Sequence, residues 1–324
     1  MLRILNSSSK IFEAFDSCPI YTRSSIVAMY SSAINGIIAD KSLMSIPIDD
    51  HLVHRGHCVY GLVNIINGKA YRLTESVQKI LKAAERINIQ LPMTNEDICK
   101  VLLDLAAFTQ MQNVQIKYWV SSGRGNMMIV PIKDLSTFYA VAQKHEIKDT
   151  ICPVSEFTLS LPITKRFHNL YRNSKYLVNI LCSMNSKNQG GCRGLLVDEN
   201  NNFIESENTI CIVTHDRKFV TPNFEVDTCQ TPIDRVVKFA EDLCRQEIIN
   251  QIEIRELSVE EAVNASEAMI IERDYVLEVL ALNGSQITTT EGRVTKAIKE
   301  ALVKDFTNDE LTVGVDYNSY DKEL

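Results

Sequence analysis

The chain has 324 residues, of which 45% are hydrophobic and 23% charged, and its formal net charge is −7. That is globular composition, and the length favours two domains, because a single core stops growing at roughly 250–300 residues. An acidic chain without a basic stripe argues against a nucleic-acid footprint and against electrostatic adhesion to an anionic membrane. No apolar run reaches the roughly 18–20 residues of a membrane-spanning helix. Nine cysteines are scattered along the chain with no CxxC spacing. They are expected to be small buried hydrophobes in a reducing compartment rather than metal ligands.

Residues 1–24 are expected to form a helical or irregular lead-in. From Ile26 the pattern turns to strands, IVAMYSS and then IIAD after Asn35-Gly36. CVYGLVNII runs into Asn67-Gly68 and resumes as KAYRL, and two β-rich runs joined by Asn-Gly predict a hairpin. Thr74 is the expected cap of a helix whose apolar face is Val77, Ile80, Leu81, Ala84 and Ile87. A second helix is expected from Thr94-Asn95, with Ile98, Val101, Leu102 and Leu105 turned inward. VQIKYWV, NMMIVPI and TFYAVAQ read as strands, placing an N-terminal α/β domain over 25–143.

The polar segment KHEIKDT, 144–150, is the expected linker, and 151–324 the second domain. That domain should hold the strand FTLSLPI, a helix from Lys175 to Met184, and a hairpin turning through Asn201-Asn202. TICIVT follows as a strand. A helix is expected with Pro232 as its first residue and Val236, Val237, Ala240 and Leu243 on its apolar face. IEIREL, AMIIE and VLEVLALN read as strands, VEEAVNA as a short helix, and Arg293 to Val303 as an amphipathic helix.

The run MYSSAINGIIADKSLMSIPIDDHLVHRGHCVYG, 29–61, followed by NGKAYRL and a helix, resembles the opening of class IV pyridoxal-phosphate aminotransferases, especially the plant-type D-amino-acid branch. KYWVSSGRGN, SKYLVNIL, GLLVDENNNFIESEN and RVVKFAEDL extend the resemblance over most of the chain. It implies an α/β (α+β) fold of two domains, a smaller N-terminal α/β domain and a larger C-terminal α/β pseudo-barrel. It also implies a cofactor cleft between them and a homodimer.

The resemblance further implies pyridoxal phosphate held as an imine by a lysine. Arg172 stands at that lysine's place, and a guanidinium stays protonated and forms no productive imine. Lys175 is the nearest substitute, with Lys165 a weaker one. Glu205 falls where the family places the carboxylate that keeps the pyridine nitrogen protonated. Thr231 and Arg235 fall at the phosphate turn, but Gln230 replaces its glycine and Pro232 brings no N–H. Glu272, Arg273 and Asp274 occupy a second, normally small-residue turn, Lys79 replaces an arginine, and Gly61 stands where relatives carry an acid. Tyr60 and Arg124 are the implied substrate contacts, Arg124 and Arg55 being candidates for a carboxylate.

Together these departures give the expectation of a pseudoenzyme, with pyridoxal phosphate absent or weakly bound, and a structural, regulatory or small-anion-binding role. The alternative is a working transaminase of D- or branched-chain amino acids, or an aminodeoxychorismate lyase-like enzyme, that uses Lys175. The expected ligand is a small carboxylate or phosphate, with no nucleic acid and no membrane. His51, His54 and His57 are expected to pack and hydrogen-bond locally, and no metal is expected. The Ser-rich N-terminus is read with the domain rather than as a transit peptide, so the expected location is cytoplasmic.

Overall fold

The computed structural model describes residues 7–17, 25–145, 152–160, 177–204, 206, 208–224, 231–273, 275–287 and 292–319. The chain divides into two compact units.

The first unit opens with helix α1 (Ser8–Asp16) and strands β1 (Ile26–Ser31) and β2 (Gly36–Ile38). A short helix α2 (His51–His54) leads into β3 (Cys58–Ile66) and β4 (Lys69–Tyr71). Helices α3 (Leu73–Arg86) and α4 (Asn95–Thr109) follow, then β5 (Val114–Ser121) and β6 (Thr137–Lys144). The last strand of the chain, β16 (Thr312–Gly314), returns to this unit. The strands form one antiparallel sheet in the order β16-β4-β3-β5-β6-β1-β2. Alternate residues of its central strands, Val59, Val63, Ile116, Tyr118, Val120 and Phe138, bury against α3 and α4. The β3–β4 hairpin turns as its Asn-Gly pair predicts, with Asn67 at φ 50° and Gly68 at φ 76°.

Three expectations for this unit change. Helix α3 begins at Leu73, after Arg72 at φ 48°, and Thr74 does not cap it; Arg72 pairs with Glu75 instead. Residues 126–132 are not a strand. Asn126 and Met127 both take positive φ, and both edges of β5 are already filled by β3 and β6. Thr312–Gly314 belongs here rather than to the expected second domain, since it pairs with Lys69–Tyr71. By contrast Thr94 caps α4 as expected, its Oγ1 accepting from Asp97 N at 3.2 Å.

The second unit contains β7 (Val154–Glu156), β8 (Thr158–Ser160), α5 (Leu177–Asn188) and β9 (Leu195–Val197). Next come β10 (Thr209–Val213), β11 (Lys218–Thr221), α6 (Ile233–Arg245), β12 (Gln251–Ile254) and α7 (Val259–Val263). Strands β13 (Glu267–Ile271), β14 (Val276–Leu282) and β15 (Ser285–Gln286) precede helix α8 (Arg293–Asp305). The main sheet is mixed, in the order β12-β11-β10-β13-β14-β15 with β7 parallel to β14, while β8 and β9 pair separately. Pro232 is the residue before α6 rather than its first helical residue.

Glu156, fully buried at the end of β7, organises the turn after α5. Its carboxylate accepts from Ser186 Oγ at 2.7 Å and from the backbone N–H groups of Cys192, Arg193 and Gly194 at 2.8–3.3 Å. A buried carboxylate is tolerated when donors surround it in this way. Burial, reinforced by the charge of Glu156, pushes the neighbouring Cys182 thiol up to about 12.

Candidate cofactor and substrate site

In the second unit the phosphate-turn candidates gather at one end of β10 and β13. Thr231, buried just before α6, shares a hydrogen bond of 3.1 Å with Thr209 at the start of β10. Thr209 is in register with Ile271, so Glu272 is the next residue beyond that pair. The residue that precedes this helix N-terminus, Pro232, has no N–H to donate to an anion.

Arg235, one turn into α6, is directed to the far end of α8. Its Nε donates to Asp305 Oδ2 at 2.7 Å and its Nη2 to Oδ1 at 2.6 Å, a two-pronged pair between largely buried side chains. The guanidinium also lies 5.5 Å from the centre of the Phe239 ring. The buried carboxylate of Glu272 accepts from Arg193 Nε. Burial alone would lower the Arg193 pKa, but the hydrogen bond and charge of Glu272 outweigh it and raise the value. Neither partnership was legible in the sequence. Asp305 lies 70 residues from Arg235, and Glu272 lies 79 from Arg193, with no local pattern connecting either pair.

In the first unit, Tyr60 lies on β3 with its ring centre 5.6 Å from that of Trp119 on β5. By strand alternation Tyr60 faces away from the α3–α4 layer, whereas Lys79 is half-buried on α3 itself. Gly61 faces Tyr118, and a Cβ added at Gly61 would stand 2.2 Å from the Tyr118 ring. Arg124 follows β5 and is held by Asp49, with Nε at 3.0 Å from each carboxylate oxygen. Arg55 donates from Nη2 to the carbonyl of Met127 at 3.0 Å. The catalytic candidates Arg172, Lys175 and Glu205 lie outside the described residues, as do Lys165, Gln230 and Asp274.

Asp49 and Asp50 divide their work. Asp50 is fully buried and accepts from Leu52 N, Ser121 Oγ, Thr137 Oγ1 and Tyr139 Oη at 2.5–3.0 Å. Burial raises the Tyr139 phenol well above its ordinary value. Asp50, His54 and His57 thus hydrogen-bond locally as expected, but His51 does not, since neither of its ring nitrogens has a partner. Among the described residues, no group of three His, Cys, Asp or Glu side chains is arranged to hold a metal ion. Among them, too, no helix is long and apolar enough to cross a membrane.

Two α/β units, the second built on a mixed sheet, are the fold class that the resemblance implied. The amino-transferase class IV family model matches residues 59–272, more than half of the chain, and the protein belongs to that family. The chain is 28% identical over 284 residues to the chloroplastic D-amino-acid transaminase of Arabidopsis thaliana, covering 86% of this chain and 76% of the relative. The structure of the Escherichia coli branched-chain amino acid aminotransferase superposes with a TM-score of 0.78 at 16% identity, over 90% of this chain and 99% of that one. The branched-chain aminotransferase of the thermophilic archaeon Thermoproteus uzoniensis, solved with norvaline, gives a TM-score of 0.78 at 15% identity, with coverage of 90% and 100%. At such identity these two structures establish the shared fold.

Proposed function

We propose that this protein is a catalytically degenerate member of the class IV aminotransferase family, acting as a homodimeric structural or regulatory protein in the cytoplasm. The observation that carries this reading is the state of the phosphate end. Arg235 of α6 is spent on Asp305, and a proline precedes the helix. A phosphate dianion at a helix N-terminus is held by free N–H groups and an available cation. Here Pro232 brings no N–H, Arg235 already has a carboxylate, and buried Glu272 lies one residue beyond the Thr209–Ile271 pair. These residues do not fit the phosphate of pyridoxal phosphate. Arg172 at the lysine's place in the sequence supports the same reading. A smaller anion, a carboxylate that displaces Asp49 from Arg124, remains within this role.

The likeness to the Arabidopsis enzyme over 86% of the chain favours a second reading, a working transaminase of D- or branched-chain amino acids or a lyase of that family, with Lys175 as the imine former. Incubation with pyridoxal phosphate, borohydride reduction and peptide mass mapping separate the two. The degenerate reading expects no yellow imine band and no phosphopyridoxyl-lysine. A stoichiometric adduct on Lys175 or any other single lysine, lost on Lys175→Ala in the first case, would overturn it.

A further inference from the structure

His51 is fully buried, and neither its Nδ1 nor its Nε2 has a hydrogen-bond partner. Buried polar side-chain atoms are ordinarily bonded, so an imidazole with both nitrogens bare is a costly feature that calls for a role. Its ring centre lies 4.8 Å from that of His54 and 6.1 Å from that of His57. Gly125, in the segment Ser122–Met128, packs against it. A Cβ at Gly125 would come within 2.2 Å of His51 Nε2, so the loop backbone rests directly on the ring.

The same two segments are laced together around that contact. His51 N donates to Gly123 O at 2.9 Å, Gly125 N to Asp49 O at 3.0 Å, and Ser122 N to His57 O at 3.2 Å. Arg55 reaches the carbonyl of Met127, and Asp49 holds Arg124.

We propose that the turn His51–His57 is an acid-sensitive catch on the loop Ser122–Met128, which lets the loop go when His51 takes up a proton. A protonated imidazole carries two N–H donors, and the closed arrangement offers neither an acceptor. The charged and titratable groups around it settle the sign. On its own turn stand His54, His57 and the Arg55 cation, opposed by Asp50, whose carboxylate is already engaged by Ser121, Thr137 and Tyr139. From the loop comes Arg124, neutralised by Asp49. Burial first, then His54, His57 and Arg55, hold the His51 pKa below its ordinary value. A depressed histidine favours the closed state while it is neutral. That preference is complete above the unfolded value of about 6.5 and is lost as pH falls from there through the lowered folded value. Arg124 rides on the loop, so release would also move this implied anion contact.

Hydrogen exchange of the full chain at a series of pH values from about 7.5 to about 5, corrected for intrinsic rates, tests the catch. One proton taken up on opening makes the protection of amides in 122–128 fall by up to about tenfold per pH unit below about 6.5. Amides of β10 and β13 serve as the internal reference. His51→Leu, which leaves no group to take up the proton, is expected to remove the pH dependence. If that variant does not fold, the carbon-bound ring-proton NMR signals of the native chain decide, because His51 must titrate together with the loop amides. Protection of 122–128 that tracks the reference at every pH would overturn the proposal. So would acid loosening that persists in His51→Leu, or a His51 signal that titrates while the loop amides stay unchanged.

Discussion

The ring of Tyr118 fills the space that any side chain at Gly61 would need, and the ring is itself fully buried among the residues that face α3 and α4. A glycine within a strand marks a close approach of this kind, and that much was legible from its position in CVYGLV. The group making the approach was not, because Tyr118 is contributed by a strand more than 50 positions further along the chain. The acid that the resemblance implies at Gly61 is therefore replaced by an aromatic ring from the neighbouring strand. Gly61→Ala should destabilise by about 1–3 kcal/mol, the usual cost of forcing extra volume into a packed core. Tyr118→Leu should also destabilise on its own, through lost ring packing. The double variant should cost less than the sum, since the smaller side chain relieves the clash. Urea midpoints of the four proteins provide the measurement, and strict additivity would show that the two positions do not meet as described.

At the scale of elements, the amphipathic pattern located α3, α4, α6 and α8 because each has one buried stripe on one sheet. The segment 126–132 misled for a physical reason. NMMIVPI has strand composition, yet Met128, Ile129 and Val130 are exposed and positive φ at Asn126 and Met127 breaks the extension. Apolar residues signal burial only when something covers them, and composition alone does not supply the cover. What joins α6 to α8 was equally invisible, since the clamp between Arg235 and Asp305 spans 70 residues. It is also the element-level fact on which the loss of the phosphate site depends. Asp305→Ala should destabilise by about 3 kcal/mol, because it leaves the largely buried Arg235 without its carboxylate. Arg235→Met on top of it should restore part of that loss, since an apolar side chain of similar reach can still lie on Phe239. Thermal or urea unfolding of the single and double variants decides. If Asp305→Ala is neutral, Arg235 is free to turn toward an anion, and the degenerate reading loses its main support.

For the whole molecule, the expectation of two domains was readable from the polar break after TFYAVAQ. The return of the last strand to β4 was not, because a three-residue strand such as Thr312–Gly314 carries no periodicity of its own. The remaining whole-molecule question is what covers the apolar surface. Met127, Met128, Ile129, Val130, Ile132 and Leu135 are exposed along one loop. On α5, Leu177, Ile180, Leu181 and Met184 recur at helical spacing and are exposed as well. Single exposed hydrophobes need no explanation, but contiguous ones mark an interaction surface. A second copy of the chain is the occupant that the proposed homodimer requires. Light scattering at micromolar concentration should therefore give twice the chain mass. Ile129→Asp combined with Val130→Asp should shift it toward the monomer, because two buried unpaired carboxylates are costly at an interface, while leaving the fold of each unit intact, since both positions are exposed within the chain. A monomeric native chain would remove the dimer from the proposed function. A double variant that stays dimeric would move the interface away from this loop and leave α5 as the surface to test.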